Sequence, residues 1–176
     1  MTTDELKALV RDVPDFPQEG IVFKDLMPLI GHAEAFHATV EQLADWAKPR
    51  SPDVILGAEA RGFIFGGALA YELGCGFVPA RKPGKLPWEK IRATYELEYG
   101  SDSLEIHADA FEKGARVIIL DDVLATGGTA QAKVELVENL GGEVVGALFV
   151  IELAFLNGRE NLAGYDVRSL LHVDAE

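Results

Sequence analysis

The stretch VIILDDVLATGGT occupies residues 117–129 and begins with four consecutive apolar residues, three of them β-branched. An uninterrupted apolar run of this kind predicts a strand, at 117–120, that is buried on both faces of a sheet. Two adjacent carboxylates, Asp121 and Asp122, then precede a Thr-Gly-Gly-Thr turn, and residues 129–140 have the pattern of a helix. In open α/β sheets ligands bind beyond the carboxyl ends of the strands. The loop 121–129 is therefore the first candidate for a binding site.

This loop has the chemistry of an anion site. Gly127 and Gly128 let backbone N–H groups come close to an anion, Thr126 and Thr129 add hydroxyl donors, and the helix start adds a positive dipole. The loop is not one of two other known phosphate loops: it lacks the Gly-Lys-Ser/Thr ending of the first and the Gly-x-Gly-x-x-Gly motif of the second. A carboxylate pair would repel a phosphate unless it bound the ligand's hydroxyls or a metal ion. The sequence thus predicts a phosphorylated sugar with Mg²⁺; a turn that only connects strand and helix is the alternative.

The elements around this stretch alternate between strand and helix. We predict strands at 54–57, 77–80, 117–120 and 144–151, and helices at 34–48, 62–73 and 129–140. Residues 94–99 and 103–107 have the pattern of an inserted hairpin, 21–23 that of a short strand or extended turn, and a capping box at Thr2 and Glu5 begins an N-terminal helix. The alternation predicts an α/β fold with a central parallel sheet covered by helices on both faces. With no linker or repeat, residues 1–176 form one domain.

Charge separates the classes of ligand. The chain has 29 acidic and 16 basic residues, a net charge of −13, which argues against binding to nucleic acid or to an anionic membrane. Five of the 16 basic residues lie between Arg81 and Arg92, with a single acid among them. This local excess indicates a small polyanionic ligand; a solvated lysine-rich loop is the alternative.

The composition also indicates a cytoplasmic protein. No apolar stretch is long enough to span a bilayer, and the N-terminus MTTDE lacks the basic start of a signal peptide. The one cysteine, Cys75, excludes an internal disulfide and suits a reducing compartment. We expect it to be a small buried apolar residue, with a catalytic thiol as the alternative.

The sequence DDVLATGGT at 121–129 resembles the phosphoribosyl-pyrophosphate (PRPP) motif of the type I phosphoribosyltransferases. Other blocks, in the same order, are similar to the adenine-specific members of that family, and the resemblance runs from about residue 12 to about residue 171. The blocks are PDFP at 14–17, GIVFKD at 20–25, AEARGF at 58–63, RKPGKLP at 81–87 and YELEYG at 95–100.

The resemblance implies a type I phosphoribosyltransferase fold with a flexible lid hairpin, at about 82–108, and a small N-terminal hood, mainly 1–30. It also implies a purine salvage reaction, in which the 5-phosphoribosyl group passes from PRPP to adenine to give AMP and pyrophosphate. Mg²⁺ would be the cofactor, coordinated mainly through PRPP, and the chain would form a homodimer. A lid suits this chemistry, since water would trap an oxocarbenium-like centre.

Roles for single residues follow from the same resemblance. The catalytic residues would be Glu98, as an acid or base near the purine, with Asp121 and Asp122, which hold ribose hydroxyls or orient Mg²⁺-bound water. The groups for the 5′-phosphate would be Ala125, Thr126, Gly127, Gly128 and Thr129. Those for pyrophosphate would be Arg61, Arg81, Lys82 and Lys85. Those for adenine would be Val22, Phe23, Lys24 and Leu124.

Structural alternatives stand beside these roles. Arg61 could form a surface ion pair with Glu59, Glu98 could be a solvated strand carboxylate, and Leu124 could belong to the core. The chain departs from the family pattern at Ala60, where serine is usual, and at Lys24, where arginine is usual. Two other functions also stay open: the same fold acting on hypoxanthine, xanthine or orotate, and a regulator that binds PRPP without catalysis. Such a regulator would carry a DNA-binding extension and a basic surface, and we expect neither in this acidic chain.

Overall fold

The structure, a computed structural model, describes residues 1–96 and 101–175. Its strands are β1 (Arg11–Val13), β2 (Phe23–Asp25), β3 (Val54–Ala58), β4 (Gly76–Ala80), β5 (Lys90–Glu96), β6 (Ser101–His107), β7 (Arg116–Leu124), β8 (Glu143–Leu153) and β9 (Val167–Val173). Its helices are α1 (Thr3–Lys7), α2 (Met27–Gly31), α3 (Ala33–Ala47), α4 (Arg61–Leu73) and α5 (Gly128–Asn139), with 3₁₀ turns at Lys48–Arg50, Ala154–Leu156 and Gly158–Leu162. Among these described residues, no helix has the length and apolar character needed to cross a membrane.

The central sheet has the strand order β4-β3-β7-β8-β9, and every neighbouring pair is parallel. This confirms the predicted parallel sheet. β7 is enclosed by β3 and β8, and all residues of β3 are buried. Because parallel strands end at the same edge, the carboxyl ends of β3 and β7 lie side by side, with Gly57 opposite Leu120.

Two apolar cores cover the two faces of the sheet. α5 and the β5–β6 hairpin pack on one face, where Val117 and Ile119 of β7 are buried. α3 and α4 pack on the other face, where Ile118 and Leu120 are buried with Phe65 of α4. Burying one such side chain stabilises the fold by about 1.5–3 kcal/mol. The continuous apolar run in β7 is therefore what a strand between two helical layers requires, and the predicted α/β fold class is confirmed.

β7 is longer than the sequence predicts. Pairing with β8 continues beyond Leu120, with Asp121 opposite Phe149 and Leu124 opposite Glu152. The prediction of a strand at 117–120 was wrong at its end, because it treated the first carboxylate as the end of the strand. Asp121 and Asp122 thus lie on a strand held by its neighbours, and the turn before α5 is only three residues long.

The hairpin begins earlier than predicted. Lys90 pairs with His107 and Arg92 with Glu105, so residues 90–92 form the start of β5 instead of the end of a loop. The strand alternates, with Ala93 and every second residue around it turned toward α5. In the sequence KIRAT, at 90–94, the alternation of polar and apolar residues is too weak to predict a strand without its pairing partner. β9 was not predicted for a similar reason, since its sequence VRSLLHV does not alternate cleanly.

The hood contains the predicted capping box. The Thr2 hydroxyl accepts from the Glu5 N–H at 3.3 Å, and the Glu5 carboxylate accepts from the Thr2 N–H at 2.7 Å. β1 and β2 pair antiparallel, with Val13 opposite Phe23. The strand predicted at 21–23 therefore lies two residues later, because Ile21 belongs to the preceding turn, where its N–H donates to the Gln18 carbonyl.

Cys75 and the two tryptophans have different surroundings. Cys75 is half-buried against the α4 core, and burial raises the pKa of its thiol, so it behaves as a packing residue and not as a nucleophile. Trp46 of α3 lies under Arg50, whose guanidinium carbon is 3.3 Å from the ring centroid. Trp88, between β4 and β5, is 62% exposed.

Candidate active site

A cavity of about 240 Å³ lies at the carboxyl edge of β3 and β7. The ends of the two strands form its floor, the turn before α5 one side, and Tyr95 and Leu104 of the hairpin another. Ten residues predicted from the sequence line it: Arg61, Lys82, Asp121, Asp122, Leu124, Ala125, Thr126, Gly127, Gly128 and Thr129. The strands therefore gather most of the predicted phosphate, ribose and pyrophosphate groups at one place.

Asp122 is a buried carboxylate, 6% exposed. Its nearest cation is Arg61, the first residue of α4, whose Nε lies 2.5 Å from the Asp122 Oδ2. The angles do not make this contact a hydrogen bond, so Oδ2 has no hydrogen-bond partner among the described residues. Burial raises the pKa of Asp122 to about 7, and the neighbouring charge of Asp121 adds to the rise against the opposing effect of Arg61. The site thus holds a carboxyl that gains or loses a proton near neutral pH.

Asp121 is held by a different cation. Its Oδ2 accepts from Nζ of Lys133 at 2.7 Å, and its Oδ1 accepts from the Asp122 N–H at 3.1 Å. The start of α4 is close enough that a Cβ on Gly62 would lie 2.7 Å from the Asp121 Oδ1. Any larger residue at position 62 would therefore displace the Asp121 carboxylate.

The turn before α5 is packed against the 3₁₀ turn Gly158–Leu162. Gly127 has a φ of +87°, and a Cβ there would lie 2.4 Å from the Gly158 carbonyl oxygen. The Asn161 amide donates to the Thr126 carbonyl at 2.7 Å. Because α5 begins at Gly128, the turn can present backbone N–H groups to an anion, and its role in binding phosphate stays a prediction.

The predicted pyrophosphate residues do not all reach the cavity. Lys82 lines it, and its Nζ contacts the Tyr95 hydroxyl at 3.1 Å and the Asp102 carboxylate. Burial lowers the pKa of Lys82, but the hydrogen bonds and charges of Asp102 and Tyr95 together outweigh it and leave the pKa above its usual value. Lys85 is exposed and lies outside the cavity lining. Arg81 also lies outside the lining.

Glu59 organises the base of this basic segment. Its Oε1 accepts from the Lys82 N–H at 2.5 Å and lies 3.4 Å from the Arg81 Nε. The alternative of an Arg61–Glu59 ion pair is wrong, because Arg61 contacts Asp122 and Glu59 contacts Arg81. Arg61 therefore points along the cavity wall, beside the carboxylate pair.

The predicted adenine residues belong to the hood and lie outside the cavity lining, except Leu124. The Arg61 guanidinium carbon is 4.8 Å from the Phe23 ring centroid, so the hood's aromatic ring lies next to a residue of the cavity wall. Lys24 Nζ donates to Asp12 at 2.8 Å, which leaves the backbone of residue 24 as its group for a base. Val22 is half-buried, and Leu124 is both in the core and in the lining.

Glu98, the predicted acid or base, lies outside the described residues. Sequence reasoning missed Lys133, Tyr95 and, as a site residue, Glu59. Lys133 is an isolated lysine within the predicted helix 129–140, on the same face as its apolar residues, and that placement was the available signal. Tyr95 was recognised only as an alternating strand residue.

The donor set bears on Mg²⁺. Within residues 1–96 and 101–175, no group of three or more histidine, cysteine, aspartate or glutamate residues could hold a metal ion. Both carboxylates of the pair already contact cations, Lys133 and Arg61. These residues fit a metal held mainly by oxygens of a bound ligand and by water, beside the carboxylates.

Comparison with known proteins supports a common origin for this arrangement. Residues 30–170 match the family model described as a phosphoribosyl transferase domain. The adenine phosphoribosyltransferase of Caldanaerobacter subterraneus subsp. tengcongensis is 56% identical over 171 residues, 97% of this chain and 99% of that protein. That of Thermotoga maritima is 53% identical over 167 residues, 95% of this chain and 96% of that protein.

Solved structures agree with the fold. The adenine phosphoribosyltransferase of Thermoanaerobacter pseudethanolicus superposes with a TM-score of 0.96 at 55% identity, over 98% of this chain and 100% of that chain. The Saccharomyces cerevisiae enzyme, complexed with an imino-altritol bisphosphate and adenine, has a TM-score of 0.92 at 44% identity, over 96% and 98%. The Trypanosoma brucei enzyme, complexed with AMP, pyrophosphate and ribose-5-phosphate, has a TM-score of 0.88 at 27% identity, over 97% and 79%.

Proposed function

The chain belongs to the phosphoribosyltransferase family, within it to the adenine phosphoribosyltransferases, and we propose its reaction from that membership. It transfers the 5-phosphoribosyl group of PRPP to N9 of adenine, releasing pyrophosphate and giving AMP, a reaction of purine salvage. The observation that carries this assignment is the gathering of the Asp pair and the glycine turn in one cavity, in a chain 56% identical to such an enzyme.

The turn before α5 binds the 5′-phosphate. Residues 125–129 line the cavity, and the first backbone N–H groups of α5 lie at the positive end of the helix dipole. The close packing of Gly127 against Gly158 supports this role, since it fixes the turn before a ligand arrives. The phosphate then sets the position of the ribose.

Arg61 and Lys82 receive the pyrophosphate group. Both line the cavity, and both carry charge that suits a polyanionic leaving group. Arg81 and Lys85 are proposed as further pyrophosphate ligands that approach when the segment between β4 and β5 covers the cavity. A closed segment would also exclude water from the reacting carbon.

The carboxylate pair holds the ribose between these two anion sites. Asp121 and Asp122 accept hydrogen bonds from its hydroxyls, which orients C1 toward the base. The bond between C1 and the pyrophosphate oxygen breaks, the bond between C1 and N9 forms, and the N9 proton leaves the base. Positioning and charge stabilisation supply most of the rate enhancement in such a dissociative transfer. Glu98 is proposed as the acid or base near the purine.

The hood binds adenine. Phe23 offers a ring for stacking, worth about 1 kcal/mol beyond its buried area, and Leu124 lies on the other side in the cavity wall. The backbone groups of Val22 and Lys24 read the edge that carries the 6-amino group. The Arg61 contact to Phe23 supports this role, because the proposed stacking ring lies beside a residue that lines the cavity.

Mg²⁺ is proposed as the cofactor, held mainly by oxygens of PRPP and by water. When bound, it would neutralise charge on the leaving pyrophosphate. Asp121 and Asp122 would orient water bound to it.

A homodimer in the cytoplasm completes the proposal. The resemblance in sequence supports it, and the single cysteine suits a reducing compartment. Sedimentation velocity tests the dimer: a species of twice 19.1 kDa is expected, and a species of 19.1 kDa alone would contradict it.

One assay tests the reaction. The protein is incubated with PRPP, Mg²⁺ and, separately, adenine, hypoxanthine, guanine and orotate, and the products are identified by mass spectrometry. AMP from adenine alone is expected. A product from hypoxanthine or orotate instead would assign another base to the same fold. PRPP binding without any product would contradict the enzyme and favour a PRPP-binding regulator.

A further inference from the structure

Lys133 is a fully buried cation to which the roles above assign nothing. Its side chain is 0% exposed, in the middle of α5. Its Nζ donates to the Leu120 carbonyl at 2.9 Å and to Asp121 Oδ2 at 2.7 Å, and it lies 6.0 Å from the Phe149 ring centroid. Removing a lysine ammonium from water is costly, and an apolar side chain would fill this space without that cost. Packing alone therefore does not account for a lysine here.

The partner of this lysine is one of the two ribose-binding carboxylates. Lys133 fixes one oxygen of Asp121, while the Asp122 N–H fixes the other at 3.1 Å. The absence of a side chain at Gly62 lets α4 begin against the same carboxylate. Asp121 is therefore held in one orientation before any ligand is bound.

The two carboxylates take their cations from different helices, and the two cations differ in access. Arg61 of α4 contacts Asp122, lines the cavity, and has a side chain 35% exposed. Lys133 of α5 contacts Asp121, is fully buried, and does not belong to the lining. Arg61 can turn from Asp122 to an incoming anion, whereas Lys133 has no path to the ligand and stays with Asp121.

We propose that Lys133 is a positioning residue for PRPP, which acts through Asp121 by fixing that carboxylate and offsetting its charge beside a polyanion. Without the ammonium, Asp121, whose side chain is 13% exposed, would be an uncompensated carboxylate facing two phosphate groups. The inference rests on the proposed function in one respect, namely that PRPP is the ligand of the cavity.

A double-mutant cycle tests it, with PRPP binding measured by calorimetry for the wild type, Lys133→Met, Asp121→Asn and the double variant. Lys133→Met should weaken PRPP binding about tenfold or more in the wild type, and by less than about twofold in the Asp121→Asn background. In steady-state assays it should raise KM for PRPP and leave KM for adenine within about twofold. Equal losses in both backgrounds, or no loss in the wild type, would overturn the proposal.

Val137→Ala is the matched control. Val137 is a buried residue of the same helix, with apolar contacts in the core on that face. This variant should lower the unfolding midpoint while PRPP binding stays within about twofold of wild type. Loss of PRPP binding by Val137→Ala equal to that of Lys133→Met would reduce Lys133 to a residue that merely stabilises α5.

The double variant keeps the test decisive if Lys133→Met alone does not fold. Because its two substitutions remove the ammonium and the carboxylate together, neither charge is left buried without its partner. The variant Asp121→Asn/Lys133→Met should therefore fold and bind PRPP as Asp121→Asn does. A double variant that binds PRPP about tenfold more weakly would overturn the proposal. A wild type that binds PRPP but forms no AMP would count against the proposed reaction alone, because the double-mutant cycle measures PRPP binding and does not depend on turnover.

Discussion

Asp122 combines deep burial, a neighbouring carboxylate and an arginine at 2.5 Å. Replacing it by asparagine keeps its shape and removes its charge. We expect Asp122→Asn to lose activity about a hundredfold or more, because the ribose loses a carboxylate acceptor, while the unfolding midpoint does not fall below that of wild type. The measurements are kcat/KM for PRPP and thermal unfolding. Parallel losses of both would mean that the pair is structural.

The same residue makes stability depend on pH. The folded chain keeps the Asp122 proton up to about pH 7, whereas the unfolded chain releases it near 3.8. The folded state thus binds more protons in this interval, so the Asp122 contribution to the free energy of unfolding falls as pH rises. Asp122→Asn lacks this fall, and its stability relative to wild type should rise by up to about 4 kcal/mol between about pH 4 and about pH 7. Urea unfolding at several pH values measures the difference; a flat difference would contradict the raised pKa.

At the scale of elements, the conformation of the turn before α5, the proposed phosphate site, depends on the absence of a Cβ at Gly127. Gly127→Ala would place a methyl group 2.4 Å from the Gly158 carbonyl oxygen and force the turn to move. We expect PRPP binding, measured by calorimetry, to weaken about tenfold or more, since the N–H groups lose their common focus.

Gly164→Ala is the control for that change. Gly164 also has a positive φ, +92°, but a Cβ there would meet nothing within 4 Å. It should cost about 1 kcal/mol of stability through backbone strain and leave PRPP binding unchanged. Similar binding losses in both variants would show that strain, and not contact with Gly158, is responsible.

The segment between β4 and β5 contains Lys82 and Lys85, which the sequence resemblance assigns to the same role. Lys82 lines the cavity and Lys85 does not. In the reverse reaction, from AMP and pyrophosphate, Lys82→Gln should raise KM for pyrophosphate about tenfold, and Lys85→Gln should have a smaller effect. A larger loss from Lys85→Gln would mean that the closed form places Lys85, not Lys82, on the leaving group.

At the scale of the whole molecule, the net charge of −13 on 176 residues destabilises the folded state, because the excess negative charges repel one another. Raising NaCl from about 20 mM to about 200 mM shortens the screening length severalfold. The unfolding temperature should therefore rise by a few degrees, measured by calorimetry without ligand. A fall in that temperature would show that local ion pairs, such as Arg159 with Glu152, outweigh the overall repulsion.

The layout of the molecule was predictable because β7 is apolar on both faces, and only a strand between two helical layers needs that pattern. The position of Asp121 and Asp122 near the turn before α5 followed from their place in the chain. Lys133 could not be predicted as their partner, since its contact depends on how α5 packs on β7. Tyr95 and Glu59 reach the cavity through the hairpin and the end of β3, whose relative placement no local pattern encodes.

The two tryptophans make the chain its own optical probe. Trp46 is fixed beneath Arg50, and the backbone of β8 at Gly146 is packed against its ring, so its ultraviolet emission should stay constant during a titration. Trp88 is 62% exposed on the segment that bears the basic residues. If that segment covers bound PRPP, the emission of Trp88 shifts to shorter wavelength as water leaves its indole. In Trp88→Phe only the constant emission of Trp46 remains. The change seen in the wild type can then be assigned to Trp88, and closure can be timed without an added label.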